Sequence, residues 1–242
     1  MSESLGKDRL IVYVDGFNLY HGLHEAARCE LLWLDLVKLA KSLRPESSLV
    51  QVKYFTAMVR GDPGAQSRQD RYISSLRALH PGAFTAVMGK YMEKRRRCRN
   101  CEASWTTYEE KQTDVNIAVH LVADVAARRA DTYMLLTADT DVIPAVRMAA
   151  SLDPQATILA QFPPRRESSA LKRMMRSSRQ ITLATIRAAQ IPDVAVAPNG
   201  KTFSRPEKWK PLPEGAPAEA TVNDGGHRCP SPAHVATLYK KP

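Results

Sequence analysis

The sequence predicts a layered α/β fold with a mostly parallel central sheet. Three observations carry this. The apolar runs Leu10–Val14 and Tyr133–Thr137 do not alternate with polar residues, so they read as strands buried on both faces. Strand-like and helix-like patterns alternate from Leu10 to Met88. Carboxylates follow both apolar runs directly, at Asp15 and at Asp139 and Asp141, which is where open α/β sheets place their ligands.

The chain has 242 residues, enough for one such domain plus an extension, and its 44% hydrophobic content supports a real core. No apolar run approaches the ~18 residues of a membrane span. The polar start MSESLGKDRL lacks the apolar stretch of a signal peptide. Four unevenly spaced cysteines do not suggest a disulfide framework, so a reducing, cytoplasmic setting is expected. The net charge of +10 predicts an anionic partner, nucleic acid before others; the plain alternative is a generically basic protein.

The elements follow in order. After the first strand, Gly16 is read as permitting a tight turn. Asp15 and Asn18 either act chemically or only cap the next helix. Helices are expected over Leu19–Ala27 and Asp35–Leu43, and a strand over Leu49–Val59. Gly61-Asp62-Pro63-Gly64 is turn chemistry. Gln66–Leu79 is a helix with Tyr72, Ile73, Leu76 and Leu79 at core spacing, and Ala83–Met88 is a strand.

Lys94–Tyr108 interrupts this alternation and reads as a basic β-hairpin insertion spanning 92–108. Cys98 and Cys101 offer two thiolates, half of a tetrahedral Zn²⁺ site, or are two ordinary hairpin cysteines. Arg95, Arg96, Arg97 and Arg99, with Trp105 and Tyr108 nearby, suit phosphate contact and base stacking on a single strand. Trp105 alternatively pins the hairpin to the core.

Glu109–Arg129 has the strongest helical pattern, with Ile117, Ala118, Leu121, Val122 and Val125 as its apolar stripe. Asp114 falls on that stripe, where a carboxylate is costly unless paired or bound to a cation. The second buried strand then leads into Ala138-Asp139-Thr140-Asp141, with Pro144 suited to a helix's first turn. One of this acidic pair can serve as an N-cap; two exceed what a cap requires. Beyond it come a helix over Val142–Ser151, a strand over Ala156–Gln161 and the break Pro163-Pro164. Arg165–Ser177 reads as a basic helix whose Arg165, Arg166, Lys172, Arg173 and Arg176 either contact phosphates or form a solvated face. A last strand is expected over Gln180–Thr185. From 189 to 242 the sequence reads as a Pro-rich, partly irregular tail, with nine of the chain's 16 prolines between Pro192 and Pro242.

Asp15, Asp114, Asp139 and Asp141 therefore converge near one end of one sheet. Such a cluster repels itself, and hard divalent cations with oxygen ligands, Mg²⁺ or Mn²⁺, relieve it. In a basic protein this composes into a metal-dependent nuclease. No Gly-rich phosphate loop and no nucleophilic serine or cysteine in a recognisable setting competes with that reading.

Three blocks also carry a family resemblance: VDGFNLY (Val14–Tyr20), EKQTDVNIAVHL (Glu110–Leu121) and LLTADTDVIPAVR (Leu135–Arg147). In this order they resemble the signature blocks of the NYN domain, and within it the LabA-like branch of the PIN-like nuclease superfamily. The resemblance covers about residues 8–185, within a domain read as 8–188. It implies a three-layer α/β/α sandwich and a Mg²⁺-dependent ribonuclease in which a metal-activated water attacks RNA. It places catalytic roles on Asp15, Asn18, Asp114, Asp139 and Asp141, the four aspartates as metal ligands. Some relatives carry a C-x-x-C hairpin before the helix block, matching Cys98 and Cys101. One departure is visible: Thr137-Ala138 and Val142 stand where the last block commonly has Ser-Gly and Phe. Other readings remain at this point: a non-catalytic RNA-binding or regulatory module, a small-molecule phosphohydrolase, or a toxin-like nuclease held by a partner protein. An assembly of identical copies is a further expectation.

Overall fold

The structure is a computed structural model describing residues 7–97 and 104–211, with side chains described outside 95–110. Six parallel strands form the main sheet: β1 (Arg9–Asp15), β2 (Ser48–Thr56), β3 (Phe84–Met88), β6 (Thr132–Leu136), β7 (Thr157–Phe162) and β8 (Ser178–Gln180). Their order is β3-β2-β1-β6-β7-β8, so β1 is central, paired with β2 on one side and β6 on the other. Two shorter strands, β4 (Lys90–Arg97) and β5 (Ser104–Lys111), pair antiparallel as a separate ribbon.

The unalternated β1 run is explained by helices on both sheet faces. Leu10, Val12 and Val14 pack under α1 (Gly16–Ala27), α2 (Leu36–Leu43), α3 (Pro63–Leu79) and α7 (Leu183–Ala188). Ile11 and Tyr13 point to the other face, beneath α4 (Thr113–Ala126), α5 (Ile143–Leu152) and α6 (Ser169–Met174). This is the expected α/β architecture with a mostly parallel sheet and helices on both sides.

Gly16 needs its missing side chain for a reason other than the turn. Its backbone is outside the left-handed region, but a Cβ there would lie 2.7 Å from the Phe55 carbonyl oxygen and 2.9 Å from the Tyr54 ring. The glycine lets the start of α1 sit directly against β2. Gly16→Ala should therefore cost about 1–3 kcal/mol by overpacking, read as a lower urea midpoint with an unchanged denaturant slope.

Four expectations are corrected. The helix predicted from Glu109 begins at Thr113, because residues up to Lys111 belong to β5 and Gln112 adopts φ +81°. The basic helix predicted over Arg165–Ser177 is the short α6, capped by Ser168, whose hydroxyl accepts the Leu171 N–H. The strand predicted over Gln180–Thr185 ends at Gln180, and Thr182 then caps α7. Finally, the chain from 189 to 211 is not irregular: β9 (Val194–Val196) and β10 (Thr202–Ser204) form a hairpin. Trp209 beyond it packs 6.2 Å from Trp33 and 5.8 Å from Tyr72, ring to ring. Proline content concealed a segment anchored by Ala195, Phe203 and Trp209. Among the described residues no helix is long and apolar enough to cross a membrane.

A buried ionic cluster that the sequence did not reveal ties α4 to the sheet. Lys53 on β2 and Asp124 on α4 form an ion pair with side chains only 5% and 1% exposed. The Tyr13 hydroxyl donates to Asp124 at 2.6 Å and the Arg129 guanidinium at 3.0 Å. Burial, with the carboxylate it donates to, holds the Tyr13 hydroxyl far above its usual range.

Candidate metal centre

Connections from β1 run to β2 and β3 on one side, while β6, β7 and β8 extend on the other. The crevice between the ends of β1 and β6 is therefore the sheet's switch point, the usual ligand position in such folds. Asp15 is the last residue of β1 and is buried. Its Oδ1 accepts the backbone N–H groups of Phe17 at 3.1 Å and Asn18 at 3.0 Å, capping α1. Its Oδ2 accepts the Thr137 hydroxyl at 2.9 Å.

Thr137 and Asn18 carry this order across the crevice. Thr137 Oγ1 accepts the Asp139 N–H at 3.0 Å, and Asn18 Oδ1 accepts the Ala138 N–H at 3.0 Å. Asp139 Oδ1 accepts the Asp141 N–H at 3.0 Å, closing a single 3₁₀ turn before α5. The first turn of α4 supplies Asp114. Carboxylate oxygens of Asp114, Asp139 and Asp141 come within 4.8 Å of one another.

The structure thus brings three of the four aspartates together and sets Asp15 beside them as a buried organiser. Asp15 caps α1 with one carboxylate oxygen while the other faces Thr137 in the crevice, so the capping reading of it holds and does not remove it from the candidate site. Its pKa is pushed up to about 7, chiefly by burial. The Asn18 N–H and Thr137 hydroxyl oppose that shift, while the charges on Asp114 and Asp139 add to it.

The sign of the consequence follows directly. The folded protein holds the Asp15 proton more tightly than the unfolded chain, so this group favours folding most below pH ~4. Stability is then lost as pH rises to about 7, by on the order of 4 kcal/mol in the absence of a cation. Thermal melts in EDTA should show a decline between pH 5 and pH 7.5 in the wild type that flattens in Asp15→Asn. Equal slopes in the two proteins would show that Asp15 is ordinarily ionised.

The basic residues are less concentrated than predicted. Arg166 pairs with Glu25 on α1, and Lys172 with Glu167. Arg165, in the left-handed region at φ +61°, and Arg173 are exposed. Arg95, Arg96 and Arg97 lie on β4, with side chains beyond the description, and Cys98, Arg99 and Cys101 lie outside the described residues. Sequence reasoning missed the bridging role of Thr137 and the strained link at Gln112. A hydroxyl two residues before Asp139 was a readable signal for the first; nothing local signalled the second.

Three hard carboxylate donors this close suit an oxygen-seeking divalent cation such as Mg²⁺ or Mn²⁺. The deciding comparison is with protein families: the NYN domain model matches residues 9–182. The chain belongs to the NYN family. NYN domains are nuclease-like, and the acidic cluster of this one is a candidate metal site. Among curated proteins the NYN chain is similar to 6-hydroxy-3-succinoylpyridine 3-monooxygenase HspA of Pseudomonas putida (strain DSM 28022 / S16). The two are 29% identical over 247 residues, covering 85% of this chain and 77% of that protein. Among solved structures it resembles a protein of unknown function, VPA0982, from Vibrio parahaemolyticus RIMD 2210633. That likeness has a TM-score of 0.52 at 20% identity and covers 75% of this chain and 98% of the other, and it speaks to the fold alone.

Proposed function

We propose that this NYN protein is a Mg²⁺-dependent ribonuclease of the LabA-like branch, acting on single-stranded RNA in the cytoplasm. The observation that carries the proposal is the convergence of Asp114, Asp139 and Asp141 at the switch point of the sheet. A divalent cation held by them supplies an activated water and stabilises charge on a phosphodiester. Asp139 and Asp141 are fixed by the 3₁₀ turn that follows β6, and Asp114 by the start of α4. Asp15 holds the start of α1 and, through Thr137, the approach to Asp139. Asn18 locks α1 to Ala138, so the two walls of the crevice keep one spacing. The chain's net charge of +10 supports an RNA substrate. Zn²⁺ at Cys98 and Cys101 and a regulatory protein partner remain proposals of the same kind.

A second reading follows from the named relative: oxidation of a substituted pyridine. The donor set favours the first. A non-haem iron oxygenase site of the usual kind takes two histidines and one carboxylate, whereas this cluster is three aspartates. The test is incubation of labelled single-stranded RNA with Mg²⁺, Mn²⁺ or EDTA, beside oxygen uptake on 6-hydroxy-3-succinoylpyridine with a two-electron reductant. Metal-dependent RNA cleavage supports the nuclease. Oxygen uptake without RNA cleavage selects the other reading.

A further inference from the structure

Among the described residues, helix α4 is entered in a way of its own. α1, α2, α3, α6 and α7 follow Asp15, Asp35, Asp62, Ser168 and Thr182, each an extended residue whose side chain accepts a backbone N–H of the first turn. α5 continues the 3₁₀ turn that Asp139 caps. α4 instead follows Gln112, whose backbone is left-handed at φ +81° and ψ −13° and whose side chain makes no capping hydrogen bond. That side chain is exposed. A left-handed backbone is routine just after a helix, as at Arg28 and Arg128 here. At a helix start, on a residue that carries a Cβ, it costs free energy and persists only where the neighbours over-determine it.

Both neighbours of Gln112 are fixed. Lys111, the last residue of β5, is paired with Lys90, the first of β4. The ribbon is rooted beside that pair, where the Gly89 N–H donates to the Thr56 carbonyl at the end of β2 at 2.7 Å. On the helix side Thr113 is buried, and the Asn116 N–H donates to the Gln112 carbonyl at 2.7 Å, opening the ladder of α4. One residue therefore makes the whole passage from ribbon to helix. Asp114 comes two residues later, in the first turn, with a carboxylate oxygen within 4.8 Å of those of Asp139 and Asp141. Those two are set by the turn after β6, so closure of the cluster depends on where α4 begins. Each residue advances a helix by about 100° of rotation, and a start displaced by one position would turn Asp114 out of the crevice.

On the reading of this cluster as a metal centre, we infer that Gln112 is a positioning residue: its left-handed backbone fixes the point at which α4 begins and so holds the Asp114 carboxylate against Asp139 and Asp141. The role belongs to the backbone and not to the glutamine side chain. Glycine adopts this conformation freely, alanine at about the same strain as glutamine, and a β-branched residue least readily.

The test is Mn²⁺ binding to the full chain, followed through the paramagnetic resonance of the free ion, beside melting curves. It compares the wild type with Gln112→Ala, Gln112→Gly and Gln112→Val. Gln112→Ala should bind as the wild type does, and Gln112→Gly at least as tightly. Gln112→Val should bind about 10-fold more weakly. In an Asp114→Asn background the same change should alter Mn²⁺ affinity by less than about 2-fold. A merely structural residue would lower the melting temperature of Gln112→Val without this dependence on Asp114. The glycine variant decides alone if the valine variant does not fold. Affinity unchanged by Gln112→Val, lowered equally in both backgrounds, or weakened by Gln112→Gly overturns the inference while the metal centre stands. A wild type that binds no Mn²⁺ overturns the metal centre itself, and the inference with it.

Discussion

Asp139→Asn should lower Mg²⁺-dependent RNA cleavage by roughly 10²–10³-fold, about 3–4 kcal/mol of transition-state stabilisation, and leave the fold intact. The substitution separates the two jobs of this side chain. Its Oδ1 accepts the Asp141 N–H at 3.0 Å, and an asparagine carbonyl oxygen can do the same. What is lost is one negative charge from a cluster whose oxygens lie within 4.8 Å of one another. Relief of that repulsion should keep the melting temperature of the metal-free variant at or above the wild-type value. The control is Arg173→Ala, an exposed residue on α6: as a phosphate contact it weakens binding in a salt-dependent way without changing the metal requirement. Cleavage by Asp139→Asn at the wild-type rate would sink the ribonuclease assignment.

The second large effect concerns the fold. Lys53→Met should destabilise the protein by about 3–5 kcal/mol, because it strands Asp124 as a buried charge. Asp124 would keep the Tyr13 hydroxyl and Arg129, but the Arg129 side chain is 62% exposed and solvates itself. A lysine ammonium in a 5%-exposed setting is replaced by a thioether of similar length, so packing is largely preserved and the electrostatic loss is isolated. Urea denaturation of Lys53→Met, Asp124→Asn and the double variant gives the coupling. The double variant should cost clearly less than the sum of the singles. Additive costs would mean that the two groups do not depend on each other.

The parts of this molecule that were legible in the sequence are those that local pattern dictates. Leu10–Val14 carries its burial on both faces in five consecutive apolar residues, and all five are buried. The aspartates after β1 and β6 follow from the rule that ligands gather at strand ends, and three ordered sequence blocks named the family. What was not legible depends on distant partners. Lys53 sits in a strand whose β-branched and aromatic residues hide it, and its counter-charge lies 71 positions away. Trp209 lies in a proline-rich stretch with no periodicity, yet its ring is held by Trp33 and Tyr72. The basic run at Arg165–Ser177 was overread as one helix because charge says nothing about where a helix ends. The left-handed backbone at Gln112 is imposed by the ribbon on one side of it and α4 on the other.

The pairing of β1 with β6 also sets a clock during synthesis. Leu10 lies opposite Thr132 and Val14 opposite Leu136, so β1 waits for 122 further residues to be made before its second edge is covered. At ~5–20 residues per second that wait is on the order of 10 s. Throughout it the stretch LIVYV exposes an unpaired apolar edge, the kind of segment that chaperones shield. The acidic cluster completes later still, once Asp141 has emerged and its turn has closed. Until then the candidate metal centre does not exist on the nascent chain.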